Sequence, residues 1–186
     1  MRLLKGNNSF VMNDLDALEK QISQQAIRPV DQWRPAHVGE IDIFIDAQGQ
    51  WFHEGDLIQR QPLVKLFASI LWYEQGQHYL VTPVEKLVIK VADAPYIIQQ
   101  ADLIEDAWLV TTNTGEQVII DVEHAVELRL YKDQWLPYIN VRFDLWARVN
   151  RSVFYQWVTL TMDESEQPMP LVLRSQGYEF QVAKED

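Results

Sequence analysis

The sequence contains no cysteine among its 186 residues. Without a thiol, the chain has no disulfide, no thiolate metal ligand and no cysteine nucleophile, which is typical of proteins in a reducing compartment. Positive charge is scarce too: 16 Lys and Arg stand against 27 Asp and Glu, a formal net charge of −11. Such a chain repels the nucleic-acid backbone and anionic membrane surfaces. We therefore expect a cytoplasmic protein that binds neither nucleic acid nor membrane.

The chain also lacks a long apolar run. The longest, over residues 63–73, is too short for a membrane-spanning helix, which needs roughly 20 apolar residues. Near the start, Gly6, Asn7 and Asn8 interrupt the apolar segment that a signal peptide requires. Aromatic residues are plentiful instead, with seven each of Trp, Tyr and Phe. Since these side chains bury much apolar surface, we expect a sizeable core that folds without a metal or a cross-link.

Motifs for catalysis and cofactor binding are missing as well. With seven glycines, the sequence has no phosphate-binding loop of the form GxGxxG or GxxxxGK(S/T) and no GxSxG nucleophile motif. The histidines lack the paired spacing of metal ligands: His37, His53, His78 and His124. Several acids sit in strand-like segments, where a solvated face is the simplest interpretation: Asp42, Asp46, Asp121 and Glu123. We predict no cofactor, no metal site and no catalytic nucleophile.

Three segments have the spacing of amphipathic helices. The first covers 13–27 and is capped by Asn13, and a crossing segment anchored by Trp33 follows it. The second starts at Pro62, carries apolar residues at helical spacing through Leu71, and ends by Gly76. The third is predicted over 144–160.

The remaining chain alternates apolar and polar residues, as strands do. A hairpin is predicted over 41–53, and strands over 78–82 and 86–91. A meander of antiparallel strands follows the linker 93–95, at 96–103, 107–112, 117–121, 125–131 and 135–141. A last hairpin joins 171–173 to 178–182. The predicted class is α+β.

The order of these elements suggests an internal duplication. A hairpin, a helix and a hairpin are followed by a meander, a helix and a hairpin, with the boundary near 93–95. This predicts an N-terminal helix and crossing segment over 1–38, an α+β subdomain over 39–95, and a β-rich subdomain with one helix over 96–186. A chain rich in hairpins also shows such an echo by chance, so the sequence leaves the duplication open.

A local cluster of positive charge stands out in the acidic second half. Residues 137–157 contain three Arg and one Asp, a local charge of +2. Arg142, Arg148 and Arg151, beside Tyr138 and Tyr155, have the chemistry to bind an anionic, ring-bearing ligand, because guanidinium planes pair with phosphate or carboxylate and stack on aromatic rings. Internal pairing of these Arg with the surplus acids is an equally good interpretation.

The turn of the 78–91 hairpin is a second candidate site. Thr82, Glu85 and Lys86 bring a hydroxyl, a carboxylate and an ammonium together, which suits the polar wall of a cleft. A solvated Glu85–Lys86 pair explains the same residues.

Several blocks resemble a bacterial family of unknown function, domain-of-unknown-function family 1285, over residue 39 to the C-terminus. The quoted segments are GDLIQR (55–60), LVKLF (63–67), YLVTPVEK (79–86), VADAPY (91–96), and the pairs Pro137-Tyr138 and Val141-Arg142. Position 96 is Tyr where many relatives carry Phe. The resemblance implies a duplicated α+β core, a C-terminal half similar to pleckstrin-homology-like folds, and a cleft between the halves that takes a small, nucleotide-like ligand in signalling. We expect Arg142 and Arg151 to meet Thr82 and Lys86 in that cleft.

Three functions are compatible with these observations. The leading hypothesis is a non-catalytic ligand-binding or sensor protein that takes a small anionic ligand between the two subdomains and acts in bacterial signal transduction. The alternative is a protein–protein interaction module that binds a partner at a sheet edge or in a groove. The third is an enzyme that uses Glu85, Asp93 or Asp121 as acid or base.

Overall fold

The computed structural model of the chain describes residues 28–164 and 170–184. The helix predicted over 13–27 lies outside the described residues. A short 3₁₀ turn, Val30–Gln32, opens the described chain and leads through a crossing segment to the first strand at His37. Trp33 of this segment packs against the core.

The first half of the structure is a six-stranded sheet with one helix. Its elements are β1 (His37–Ile45), β2 (Trp51–His53), β3 (Asp56–Leu57), α1 (Gln61–Ala68), β4 (Leu71–Glu74), β5 (Gln77–Val81) and β6 (Glu85–Val91). In space the strands lie in the order β3-β2-β1-β6-β5-β4. Neighbours are antiparallel except β1 and β6, which run parallel with His37 opposite Glu85.

The second half is another six-stranded sheet, to which a helix and a hairpin are added. Its elements are β7 (Tyr96–Ile104), β8 (Ala107–Thr112), β9 (Gln117–Ile119), β10 (Val126–Tyr131), β11 (Gln134–Arg142), β12 (Leu145–Val149), α2 (Arg151–Glu164), β13 (Leu171–Ser175) and β14 (Tyr178–Ala183). The sheet order is β10-β11-β12-β7-β8-β9, and the parallel pair is β12 and β7.

The two sheets share one topology. In each, two three-stranded meanders are joined by parallel pairing of the first strand with the sixth, so β1 to β6 correspond in order to β7 to β12. The expectation of two similar β-rich halves is therefore confirmed. The helices do not correspond, since α1 joins the third and fourth strands whereas α2 follows the sixth. The predicted antiparallel meander is corrected in two places: β7 pairs with the parallel β12, and β9 and β10 lie at opposite edges of the sheet, not side by side.

The helix predicted from Pro62 is shorter than expected. It ends at Ala68, because Ser69 turns the chain: its Oγ donates to the Leu66 carbonyl at 2.6 Å. Leu71 continues the helical spacing of apolar residues, yet it begins β4 and pairs with Leu80 of β5. The spacing of Leu71 from the preceding apolar residues fits both another helical turn and a buried strand position, so periodicity alone does not distinguish a helix from a strand at this residue.

The helix predicted over 144–160 starts too early. Leu145, Ala147 and Val149 are buried in alternation along β12, which is the two-residue period of a strand. The helix begins at Arg151, after Asn150, whose side-chain Oδ1 accepts the N–H of Val153 at 2.8 Å. This is an N-cap, and it sets the start of α2.

Aromatic side chains fill the core of the second half. Trp157 of α2 is fully buried, with ring centroids 5.7 Å from Trp108 and 5.5 Å from Phe180. Both pairs meet edge to face, which is a favourable arrangement for aromatic rings. Ser175 of the last hairpin accepts the N–H of Trp108 at 2.9 Å. The added helix and hairpin thus pack against the second sheet. Among the described helices, none has the length and apolarity to cross a membrane.

Candidate functional site

A cavity of about 370 Å³ lies where the two halves meet. We call it the charged cleft, and its main lining residues are Tyr73, His78, Asp93, Arg129, Asp144 and Trp146. Tyr73 and His78 come from β4 and β5 of the first sheet, Asp93 from the linker, and the others from the second sheet and its β11–β12 turn. Its volume lies within the range of small-molecule sites.

Arg129 is the cation of the charged cleft. Its guanidinium carbon lies 4.0 Å from the ring centroid of Trp146 and 5.4 Å from that of Tyr138. Glu127, two residues earlier on β10, accepts hydrogen bonds from Arg129 at 3.0 and 3.3 Å. Because successive strand residues point to opposite faces, Glu127 and Arg129 share one face of β10. The two aromatic rings hold the guanidinium in place, while the Glu127 side chain is 56% exposed.

Asp93 joins the linker to the second sheet. Its two carboxylate oxygens accept the Tyr138 hydroxyl at 2.7 Å and the Arg148 Nε at 2.8 Å. Arg148 also donates to the Ala47 carbonyl in the β1–β2 turn, and its guanidinium lies 4.3 Å from the centroid of the Tyr131 ring. Burial, followed by the hydrogen bond to Asp93, raises the pKa of Tyr138 above its usual value, so the hydroxyl stays protonated. Of the predicted cluster, Arg148 and Tyr138 therefore line the junction of the halves and already have partners.

Arg142 is also a contact between the halves. It donates to the carboxylate of Glu116 at 3.0 Å, to the Ala68 carbonyl at the end of α1 at 2.7 Å, and to the Tyr96 hydroxyl at 3.1 Å. Tyr96 is fully buried and donates to the same carbonyl at 3.1 Å. Burial raises the pKa of Tyr96, which keeps it a neutral donor. Arg142 and Arg148 thus pair with acids of the same chain, which is the second of the two interpretations that the sequence left open for this arginine cluster.

Arg151 and Tyr155 lie elsewhere on the second half. Both are exposed on α2, and the Arg151 guanidinium donates to the Tyr155 hydroxyl at 3.1 Å. Arg151 thus contacts the aromatic residue one helical turn away, whereas Arg142 contacts α1 and the β8–β9 turn. Arg142 and Arg151 therefore have different contact partners.

The Thr82–Lys86 turn forms a third group. Thr82 Oγ1 accepts the N–H of Glu85 at 3.1 Å, which stabilises the turn. Lys86 pairs with Glu74 and lies 4.1 Å from the ring centroid of Tyr79. The Glu85 side chain is buried, and its Oε1 has no hydrogen-bond partner among the described residues. Burial raises the pKa of Glu85, and the charge of His37 acts in the opposite direction.

Two of the three acids considered for catalysis have structural contacts. Asp93 binds Arg148 and Tyr138, as described above, and Asp121 Oδ1 accepts the backbone N–H groups of Glu123 and His124 at 2.8 Å each. Within residues 28–164 and 170–184, no group of three or more His, Asp or Glu side chains is placed to hold a metal ion.

Sequence reasoning did not select Arg129, Trp146 or His78 for the cleft. A signal for Arg129 was present, because Glu127, Arg129 and Tyr131 alternate along β10 with apolar residues between them. His78 lies in a strand, and its ring contacts that of Tyr73 in a tilted arrangement with centroids 4.8 Å apart. Its burial lowers the pKa to about 4, so the ring is neutral at neutral pH.

Comparison with known proteins gives the same relatives for both halves. The model of the DUF1285 N-terminal domain, described as a domain of unknown function, matches residues 28–94. The model of the DUF1285 C-terminal domain, described as a protein of unknown function, matches residues 95–182. No curated protein matches the chain.

Two solved structures are similar to this fold. A DUF1285 family protein from Silicibacter pomeroyi DSS-3 is 30% identical with a TM-score of 0.84, and the match covers 92% of this chain and 96% of that one. A DUF1285 family protein from Shewanella baltica OS155 is 30% identical with a TM-score of 0.52, covering 63% of this chain and 90% of that one. With both domain models matched in order and a relative aligned over nearly its whole length, the chain belongs to the DUF1285 family.

Proposed function

We propose that this protein is a non-catalytic ligand-binding module whose site is the charged cleft. The ligand is a small ring-bearing molecule with an anionic group, of the nucleotide-like kind, and binding serves bacterial signal transduction. The proposal rests on the surroundings of Arg129. Its guanidinium lies over the ring of Trp146, which orients it, and its carboxylate partner Glu127 is exposed enough for a ligand to replace it.

Exchange of that partner is the proposed binding step. The side chains of Arg129 and Glu127 are 39% and 56% exposed, and ion pairs with this exposure contribute little to stability. A phosphate or carboxylate of the ligand can therefore take the place of Glu127 at low cost and form a paired hydrogen bond with the guanidinium. Arg148 is unsuited to this exchange, because its side chain is 12% exposed and its partner Asp93 is 17% exposed.

Aromatic side chains form the other part of the proposed site. Tyr73 and His78 form a tilted pair on the side of the first sheet, and Trp146 lies on the side of the second. A planar ring gains from contact with such surfaces, as bases do on aromatic side chains. Since burial keeps His78 neutral, it adds no charge at neutral pH.

The charge of the cleft limits the ligand. The charge of Asp93 is balanced by Arg148, but Asp144 also lines the cavity. An incoming anion takes the place of the Glu127 carboxylate on Arg129, and the displaced carboxylate stays nearby. Because like charges repel, these carboxylates oppose further negative charge in the cleft. We therefore expect one anionic group on the ligand to be favourable and a triphosphate chain to be unfavourable.

Thermal unfolding at low salt tests the proposal with adenosine and guanosine, their monophosphates and triphosphates, and cyclic dinucleotides as probes. We expect at least one nucleoside monophosphate to raise the melting temperature more than its triphosphate or a cyclic dinucleotide, since ligand binding to the native state contributes about 2.7 kcal/mol at a hundredfold excess over Kd. Arg129→Ala removes the shift. The matched control is Arg174→Ala, because Arg174 also forms an exposed pair, with Glu179 at 2.7 Å, on the hairpin of β13 and β14.

Three results would overturn the proposal. The first is a flat screen on folded protein, and the second is a shift that persists in Arg129→Ala. Loss of the shift in Arg174→Ala as well would mean that any surface arginine matters, which also contradicts a specific site.

The second candidate function, a protein–protein interaction module, rests on the outer face of the first sheet. Phe44 and Phe52 lie side by side there with centroids 6.1 Å apart, and Val38 on the same strand face is 59% exposed. Contiguous exposed apolar patches are typical of interaction surfaces, and the Phe44–Phe52 pair is the apolar part of this face. Recovery of one stoichiometric partner that is lost in Phe44→Asp, with no response to small molecules, favours this function over the first.

A further inference from the structure

A second cavity at the junction of the halves has a different chemistry. It has a volume of about 210 Å³ and lies between the β1–β2 turn, the segment that enters α1, and the second sheet. We call it the amide cavity, because six side-chain amides line it: Gln48, Gln50, Gln59, Gln61, Gln99 and Asn113. None of the described residues that line it is charged, although 23% of the chain is.

Trp51 supplies an independent indication of a ligand. Trp51 is one of the residues that line the cavity, and it is 1% exposed. Its indole Nε1–H is buried and has no hydrogen-bond acceptor among the described residues. A buried donor without an acceptor costs free energy, so a ligand that brings an oxygen atom to this N–H would satisfy it.

Both halves of the protein build the amide cavity. Asn113 of the second half donates from Nδ2 to the Gly49 carbonyl at 3.0 Å, and its Oδ1 accepts the N–H of Ile97 at 3.0 Å. These bonds hold the β1–β2 turn against the second sheet. The residues that line the amide cavity do not line the charged cleft, so the inference is independent of the proposed function.

The donor set selects the chemistry of the ligand. An amide side chain offers both a donor and an acceptor, as a hydroxyl group does, and it binds hydroxyls without removing water from a charge. An anionic group would find no cation here to balance it, and a cationic group would find no carboxylate. The volume of about 210 Å³ is far above the roughly 10 to 15 Å³ that a cavity needs to hold one water molecule, so a larger molecule fits.

From this arrangement we propose that the amide cavity binds a small uncharged molecule that carries several hydroxyl groups, of the size of a monosaccharide. The hydroxyls pair with the amides of Gln61 and Gln99, one from each half, and an oxygen accepts the Trp51 indole N–H. Binding therefore bridges the two halves at a point away from Arg129.

Proton–nitrogen correlation spectra of the whole chain test this proposal, with D-glucose and myo-inositol as probes. We expect one of them to shift the Trp51 indole N–H and glutamine side-chain resonances to saturation, with the indole signal assigned through Trp51→Phe. The double variant Gln61→Ala, Gln99→Ala weakens binding about tenfold, because two hydrogen bonds are lost. Gln100→Ala is the matched control: its amide lies on the adjacent residue and donates to Asp102 at 2.8 Å instead.

Three outcomes would overturn the assignment. They are the absence of a saturable shift with either probe, equal affinity in the double variant, and equal affinity for a glucose phosphate. Arg129→Ala keeps the glucose or inositol response if the inference holds, so failure of the charged cleft and failure of the amide cavity are distinguishable.

Discussion

Arg148 on the second sheet donates from Nε to the carboxylate of Asp93 at 2.8 Å, and Asp93 belongs to the linker between the two sheets. Arg148 also reaches the Ala47 carbonyl in the first half. The pair thus fixes the linker, a turn of the first sheet and a strand of the second to one another. Asp93 lines the charged cleft, and its pair with Arg148 uses both charges for the junction and not for a ligand.

Removal of Asp93 is expected to destabilise the protein strongly. Asp93→Ala leaves the Arg148 Nε and the Tyr138 hydroxyl without their acceptor. Breaking a fully buried pair in this way costs about 3 to 5 kcal/mol, and this pair, at 12% and 17% exposure, belongs at the lower end. We expect a loss of about 3 kcal/mol in the free energy of unfolding, measured by urea denaturation. Glu127→Ala is the control, because its pair with Arg129 is exposed and contributes at most about 1 kcal/mol. Equal losses in the two variants would contradict the role given to Asp93.

A pair of glycines tests how tightly the β1–β2 turn packs on the second half. Gly49 and Gly55 both have a positive φ, +76° and +86°, where alanine costs about 1 to 2 kcal/mol. A Cβ on Gly49 would lie 2.7 Å from Asn113 Nδ2 and 2.8 Å from Ile97 Cγ1, whereas a Cβ on Gly55 meets nothing within 4 Å. We expect Gly49→Ala to cost about 1 to 3 kcal/mol more than Gly55→Ala, through overpacking.

Urea denaturation of both glycine variants measures that difference. Similar losses for Gly49→Ala and Gly55→Ala would mean that the turn does not press on Asn113 and Ile97. Because Asn113 borders the amide cavity, Gly49→Ala should also weaken the response to D-glucose or myo-inositol.

His78 makes stability depend on pH. Burial lowers its pKa from 6.5 to about 4, so between these values the unfolded chain binds a proton that the folded chain does not. Stability therefore falls as the pH decreases from 6.5 to 4, by on the order of 1 to 2 kcal/mol once partial exposure is allowed for. Urea denaturation at several pH values measures this effect. In His78→Asn, which has no titrating side chain at this position, the free energy of unfolding should depend less on pH across this range. An unchanged slope in that variant would exclude His78 as the source.

Glu85 is expected to act in the opposite direction. Burial raises the pKa of this carboxyl, and its Oε1 has no described partner. The folded chain holds the proton more tightly than the unfolded chain, so this contribution is favourable below the usual value of 4.5 and is lost as the pH rises through the raised pKa. Glu85→Gln should increase the free energy of unfolding at neutral pH, and the gain should vanish below pH 4.5. Lower stability of Glu85→Gln at neutral pH would show that the carboxylate has a partner.

Local periodicity predicted most strands of the second half, but it did not separate short strands from helices. The ranges 107–112, 125–131 and 135–141 match β8, β10 and β11 within about one residue at each end. Alternation is a property of neighbouring residues, so it can be detected in the sequence alone. The apolar residues around Leu71 and Trp146 fit either period, and only their strand partners decide between them.

The candidate site was harder to predict than the strands. The sequence indicated an arginine cluster with two interpretations, and the structure gives Arg142 and Arg148 carboxylate partners. Arg129 was not selected, because its importance depends on Trp146, which meets it from a different strand. No local pattern reports such a contact.

The sequence by itself determined the acidic composition, the absence of thiol chemistry, the alternating strands and the family resemblance. These properties depend on residue identity and on neighbours a few positions apart. Tertiary structure alone decided the parallel closure of each sheet, the partners of each arginine and the two cavities. The physical reason is distance along the chain: Arg142 donates to the carbonyl of Ala68, 74 positions earlier, and such a pair forms only when the two halves pack together.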